Sequence, residues 1–153
     1  MKEVLKEIIV SNQNAMPADV KVRSWEIPMD TGKVITIPGV RRSGKSSLFF
    51  IAQNKLLESG VSKEKILFLN LDDERLDFSE NNIGLILEAY RELYPKIPAK
   101  EICFFLDEIQ VAKGWEKFVR RICDNVSKNI YLTGSNSKML SSEIASALRG
   151  RTL

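Results

Sequence analysis

Two short stretches of this chain could do phosphate chemistry. The first is Gly39–Ser46, read Gly-Val-Arg-Arg-Ser-Gly-Lys-Ser, of the form G-x-x-x-x-G-K-[ST]. Gly39 and Gly44 permit backbone conformations that a side chain forbids. Successive N–H groups, those of Val40, Arg41, Arg42, Ser43 and Ser47 included, can then turn inward as an anion cradle closed by a helix N-terminus. Lys45 supplies a point charge for the outer phosphates. The Ser46 hydroxyl suits Mg²⁺, a hard ion that takes oxygen ligands. Arg41 and Arg42 either add phosphate contacts or face a partner. The second stretch is Asp107-Glu108, at the end of the apolar run Ile102–Leu106. Asp107 there can hold Mg²⁺ as a Walker-B aspartate does, and Glu108 can orient and polarise an attacking water. Two solvated acids after a strand would look the same in isolation. The loop about 60 residues upstream makes the catalytic reading the better one.

Three further groups are weaker candidates. Thr133-Gly134-Ser135-Asn136 ends another apolar run. Ser135 and Asn136, with Thr133 behind them, suit sensing of the γ-phosphate or holding the water, although Ser and Asn also serve as helix caps. Arg149 and Arg151 either reach a neighbouring subunit's γ-phosphate as an arginine finger or form a basic helix end favoured by the macrodipole. Asp72-Asp73-Glu74 follows a third apolar run and reads first as an acidic turn, second as a metal or substrate contact. Trp25 either stacks on a base or belongs to the core.

These groups need elements to position them. Met1–Asn12 carries Val4, Leu5, Ile8 and Ile9 at helical spacing, and Ser11–Asp19 reads as a linker. Val34–Ile37 is an apolar strand before the loop, ended by Pro38. Ser47–Glu58 is a helix burying Leu48, Ile51, Ala52 and Leu56, ended by Gly60. Strands follow at Ile66–Leu71, Ile102–Leu106 and Ile130–Thr133, with helices at Asn82–Tyr94, Gly114–Asn125 and Ser141–Leu148. Alternating apolar strands and amphipathic helices predict an α/β three-layer fold with a parallel sheet. Ligands bind such sheets outside the carboxyl ends of the strands, and four strands here deliver polar groups to that one edge. The organisation expected is an N-terminal helix and arm over 1–29 and a nucleotide-binding core over 30–153.

Composition narrows the chemistry. The chain has 153 residues, one domain's length, and 44% hydrophobic residues, enough for a core. It has no histidine, so acid–base work falls to carboxylates. Two distant cysteines, Cys103 and Cys123, argue against a disulfide framework and for a reducing, cytoplasmic setting. No apolar run reaches membrane-spanning length. A net charge of +3 fits solvated lysines better than a nucleic-acid surface and does not decide between them.

Taken together, ITIPGVRRSGKSSL, LNLDDERL, FFLDEIQVAKGWEKFVRRI and IYLTGSNSKMLSSEIASALRGR resemble the AAA-type ATPase domain of prokaryotic ATP-binding proteins over nearly the whole chain. The resemblance implies a P-loop NTPase sheet of order 5-1-4-3-2, with ATP and Mg²⁺ as ligands. It assigns Lys45 and Ser46 to phosphate and Mg²⁺, Asp107 to Mg²⁺, Glu108 to water activation, and Arg151, then Arg149, to the finger. The family usually has proline after the first loop glycine, where Val40 stands here. It also continues past Gly150-Arg151 into a fifth strand and a C-terminal region. The expectation is therefore a fragment lacking the fifth strand, weakly active alone and prone to pair along its phosphate-loop strand. A small-molecule or nucleotide kinase using Asp72 or Asp73, and a nucleotide-responsive switch binding protein or DNA, are the alternative functions.

Overall fold

The computed structural model describes residues 1–16, 35–38 and 45–134, with side chains for 1–16 and 48–134. In chain order the elements are α1 (Lys2–Asn14), β1 (Ile35–Pro38), α2 (Lys45–Glu58), β2 (Ile66–Asn70), α3 (Leu85–Leu93), β3 (Cys103–Asp107), α4 (Trp115–Asn125) and β4 (Ile130–Gly134). The described strands form one parallel sheet of order β1-β4-β3-β2. That is the 1-4-3-2 part of the expected order, in an α/β P-loop NTPase-like fold. The expected helix at Ser141–Leu148, and everything after Gly134, lies outside the described residues.

Strand alternation builds the three layers. Leu67, Leu69, Phe104, Leu106, Ile130 and Leu132 point to one face, into a core shared with α1, α3 and α4. Ile66, Cys103, Phe105 and Tyr131 point to the other, against α2. On that face Phe49 meets Phe105 edge-on at 5.2 Å, and Phe105 stacks on Tyr131 at 4.4 Å. Burying both faces is what a parallel sheet requires, and explains why the strands read as continuous apolar runs. Among the described residues no helix is long and apolar enough to cross a membrane.

Most strand and α4 bounds shift by a single residue from the sequence reading, and other differences have identifiable causes. α1 runs to Asn14, through residues expected to be linker, because Asn12 and Gln13 find partners on the sheet. α2 starts at Lys45 rather than Ser47, so the end of the G-x-x-x-x-G-K-S stretch is already helical. Its buried stripe contains Phe49 with Ile51, Ala52 and Leu56, while Leu48 is only half-buried. α3 starts at Leu85, because Asn82 donates its amide to the Asp77 carbonyl and 83–84 form a turn. β1 ends with Pro38, in register with Gly134, where a strand end needs no donor.

The N-terminal helix is packed into the same core. Leu5, Ile8 and Ile9 are buried with Ile86, Ala89 and Tyr90 of α3. Outside, Glu92 accepts hydrogen bonds from Lys2 and Lys6, both at 2.8 Å. Those two cations hold its carboxyl down at about 2.

Candidate active site at the carboxyl ends of the strands

The register places three strand ends side by side. Pro38 of β1 pairs with Gly134 of β4, and β4 pairs with β3 up to Leu106 opposite Leu132. The chain leaves β1 at Pro38, passes through Gly39–Gly44, and re-enters described structure at Lys45 in the first turn of α2. The N–H groups of a helix's first turn have no partner within the helix, and the macrodipole is positive there. A loop between the carboxyl end of a strand and the amino end of a helix is therefore the right frame for an anion cradle.

Asp107 and Glu108 occupy the end of β3 beside β4. Both are nearly buried, at 6% and 3% exposure. Their surroundings account for that burial. The Leu71 N–H donates to the Asp107 carbonyl, tying β2 to the strand end. The Thr133 hydroxyl donates to Asp107 Oδ1 and its oxygen accepts the Glu108 N–H at 3.1 Å. Glu108 itself sits at φ +58°, ψ +49°, the left-handed region, a costly conformation for a residue with a Cβ. That twist ends the strand at once and starts the 3-10 turn Ile109–Val111. Ile109, Ala112 and Trp115 are buried and anchor the turn from below. The turn brings Gln110 back onto the acid, and Gln110 Nε2 donates to Glu108 Oε2 at 2.9 Å. The other end of that amide, Gln110 Oε1, is buried with no hydrogen-bond partner among the described residues.

Gln110 is the residue that the sequence reading left without a role. Its only local signal is a polar side chain two places beyond the acid pair. Asp73 is different: its carboxylate accepts the Arg75 N–H and is gripped by the Arg75 guanidinium, at 3.0 and 2.8 Å. That guanidinium keeps the Asp73 carboxyl below its ordinary value. Asn70 Oδ1 accepts the Asp72 N–H, so 70–75 closes on itself as an acidic turn. Gly39, Val40, Arg41, Arg42, Ser43 and Gly44 lie outside the described residues, as do Trp25, Ser135, Asn136, Arg149 and Arg151. Lys45, Ser46 and Ser47 are described as helix backbone only.

A parallel sheet in this order, with a helix starting at Lys45 soon after β1 and paired acids at the end of β3, defines a P-loop NTPase-like domain. The chain belongs to the AAA domain family, whose profile matches residues 31–153. This makes it a nucleotide-binding, ATPase-like domain. It is 40% identical to the uncharacterized protein MJ1544 of Methanocaldococcus jannaschii, over 99% of this chain and 32% of that protein. It is 36% identical to an uncharacterized protein of Haemophilus influenzae, over 80% of this chain and 30% of that protein. The chain thus spans about a third of the length of these relatives. No solved structure matches it significantly.

Proposed function

We propose that this domain binds ATP at Gly39–Ser46 and hydrolyses it, with Glu108 orienting the attacking water. The observation that supports this best is the burial of Asp107 and Glu108 on one strand end, one strand away from β1. Solvated acids at a turn do not need that burial, and their desolvation is costly unless function or bonding compensates.

In this reading the loop N–H groups and Lys45 hold the triphosphate, and Arg41 and Arg42 add charge beside it. Mg²⁺ would be held by Ser46 and Asp107 and would neutralise charge on the transferred phosphoryl group. The donor set fits: it is all oxygen, as this ion prefers. Thr133 takes Oδ1 of Asp107, and no described residue donates to Oδ2. Glu108 accepts a proton from, or aligns, the water. Ser135 and Asn136 report on the γ-phosphate from the end of β4. Arg151, or failing it Arg149, reaches the site of a neighbouring copy. Because the curated relatives are about three times as long, binding or hydrolysis would reposition an attached region of the full polypeptide.

One observation favours a second reading, a switch that hydrolyses little. The Gln110 amide already occupies one oxygen of Glu108. The deciding experiment is Glu108→Gln in the full-length polypeptide, read by nucleotide affinity and phosphate release. Hydrolysis predicts unchanged ATP affinity and turnover lower by about 100-fold or more. A wild-type protein that binds ATP without releasing phosphate favours the switch. Wild-type protein and Lys45→Ala binding ATP alike would overturn both.

A further inference from the structure

Thr133 is a small polar side chain in a strand whose preceding residues Ile130, Tyr131 and Leu132 are all buried. It is itself fully buried. Its surroundings explain the hydroxyl. The Thr133 hydroxyl donates its single proton to Asp107 Oδ1. The oxygen's lone pair is then left for the Glu108 N–H. The paired register of β3 and β4 ends at Leu106–Leu132. Beyond it, where β3 twists away at Glu108, a side chain replaces the backbone partner.

We infer that Thr133 is a positioning residue for the acid pair: one hydroxyl sets the rotamer of Asp107 and the left-handed backbone of Glu108, and ties both to β4. The inference rests on the reading of Asp107 and Glu108 given above and deepens it. Valine has the same branched shape and would fill the same space in a strand. What it cannot do is donate to Asp107 or accept from Glu108. With Oδ1 held by Thr133, Oδ2 is the oxygen left to face a cation. β4 is also the strand that leads through Gly134 to Ser135 and Asn136, so a shift there would be transmitted to both acids through one bond pair.

The test compares Thr133→Val, Thr133→Ser and Thr133→Cys in the full-length polypeptide. Binding of a fluorescent ATP analogue is titrated with and without Mg²⁺, and phosphate release is measured alongside. Thr133→Val should bind nucleotide without Mg²⁺ as wild type does. The Mg²⁺ concentration that half-saturates the metal-dependent gain in affinity should rise, and kcat should fall, each by roughly 10-fold or more with KM nearly unchanged. Thr133→Ser should restore both. Thr133→Cys, unbranched as serine is but with a weakly donating thiol in place of the hydroxyl, should behave as valine does when compared with Thr133→Ser, and carries the test should valine prevent folding. Wild-type Mg²⁺ dependence and turnover in the valine or cysteine variant would overturn the inference while leaving the proposed function standing, as would equal loss in serine and valine. A wild-type protein showing no Mg²⁺-dependent nucleotide binding would remove the proposed function, and this inference with it.

Discussion

Gln13 of the first helix donates its side-chain amide to the main-chain carbonyl of Ile66, at 3.1 Å, along the outer edge of the sheet. Asn12 does the same for Phe68, at 2.8 Å, one strand repeat further on. Among the described residues β2 has only β3 as a strand neighbour, so these two amides stand where another strand would pair. Tyr94 completes the arrangement by donating to Gln13 Oε1 at 2.6 Å. Exposed edges invite pairing with other chains, and natural proteins cover them.

Replacing both amides, Asn12→Ala with Gln13→Ala, should therefore act in two ways. Gln13→Ala strands a buried carbonyl and the Tyr94 hydroxyl, which should lower unfolding free energy by about 1–3 kcal/mol in denaturant titrations. The double variant should also self-associate at concentrations where wild type does not, as measured by sedimentation velocity. Loss of stability without added self-association would mean that the amides hold the helix but do not guard the edge.

Gln110 and Glu108 provide a test at the site itself. If the amide orients the carboxylate for hydrolysis, Gln110→Ala should reduce turnover by about 10-fold while ATP affinity holds. A rise in turnover would instead mark the 2.9 Å bond as a restraint on the acid, and would favour the switch.

Gly114 precedes α4 at φ +80°, and a Cβ on it would collide with Oδ1 of Asn81, itself at φ +58°. Gly114→Ala should destabilise the domain by about 1–2 kcal/mol from the left-handed backbone alone, with more from the collision. Asn81→Gly should recover the collision part and leave the backbone part. A double-mutant cycle in thermal or chemical unfolding separates the two, since the residues touch and their effects should not add.

The contacts of Glu92 with Lys2 and Lys6 predict a pH window for the docking of α1 on α3. Glu92 titrates lower folded than unfolded, so its contribution is present above its ordinary value near 4.5 and is lost as pH falls towards about 2. Lys2 and Lys6 are shifted upward, so their part is present below 10.5 and is lost as pH rises beyond it. All three are solvated, so the effect is small and screened by salt. The melting-temperature difference between wild type and Glu92→Gln should be positive at pH 6, shrink with added salt, and vanish near pH 2. A difference that persists at pH 2 would show that the ion pairs are not its source.

Most of what could be read along the chain was local in origin. Continuous apolar runs marked every described β-strand and spacing of three to four every described α-helix, because a strand inside a parallel sheet buries both faces and a helix one stripe. Phe49 is absent from the stripe read in the sequence, and Leu48 packs against the core only half-buried, for a related reason: α2 has apolar residues at 48, 49, 50, 51 and 52, and periodicity alone cannot rank them. Packing chose Phe49, because its ring fits edge-on against Phe105 and Phe68. The last two residues of α1, Gln13 and Asn14, have no helical signal because Asn12 and Gln13 look like linker residues until a sheet edge is beside them.

The sequence alone thus determined the G-x-x-x-x-G-K-S stretch, the acid pair after an apolar run, and the succession of strands and helices around them. These follow from residue type and short spacing. The tertiary structure decided what lies next to what. Setting β4 between β1 and β3 brings Thr133 to Asp107, 26 residues away in sequence. The left-handed turn at Glu108 folds Gln110 back onto the acid. Neither contact has a local signature, because each depends on strand register and backbone twist fixed by burial of the whole core.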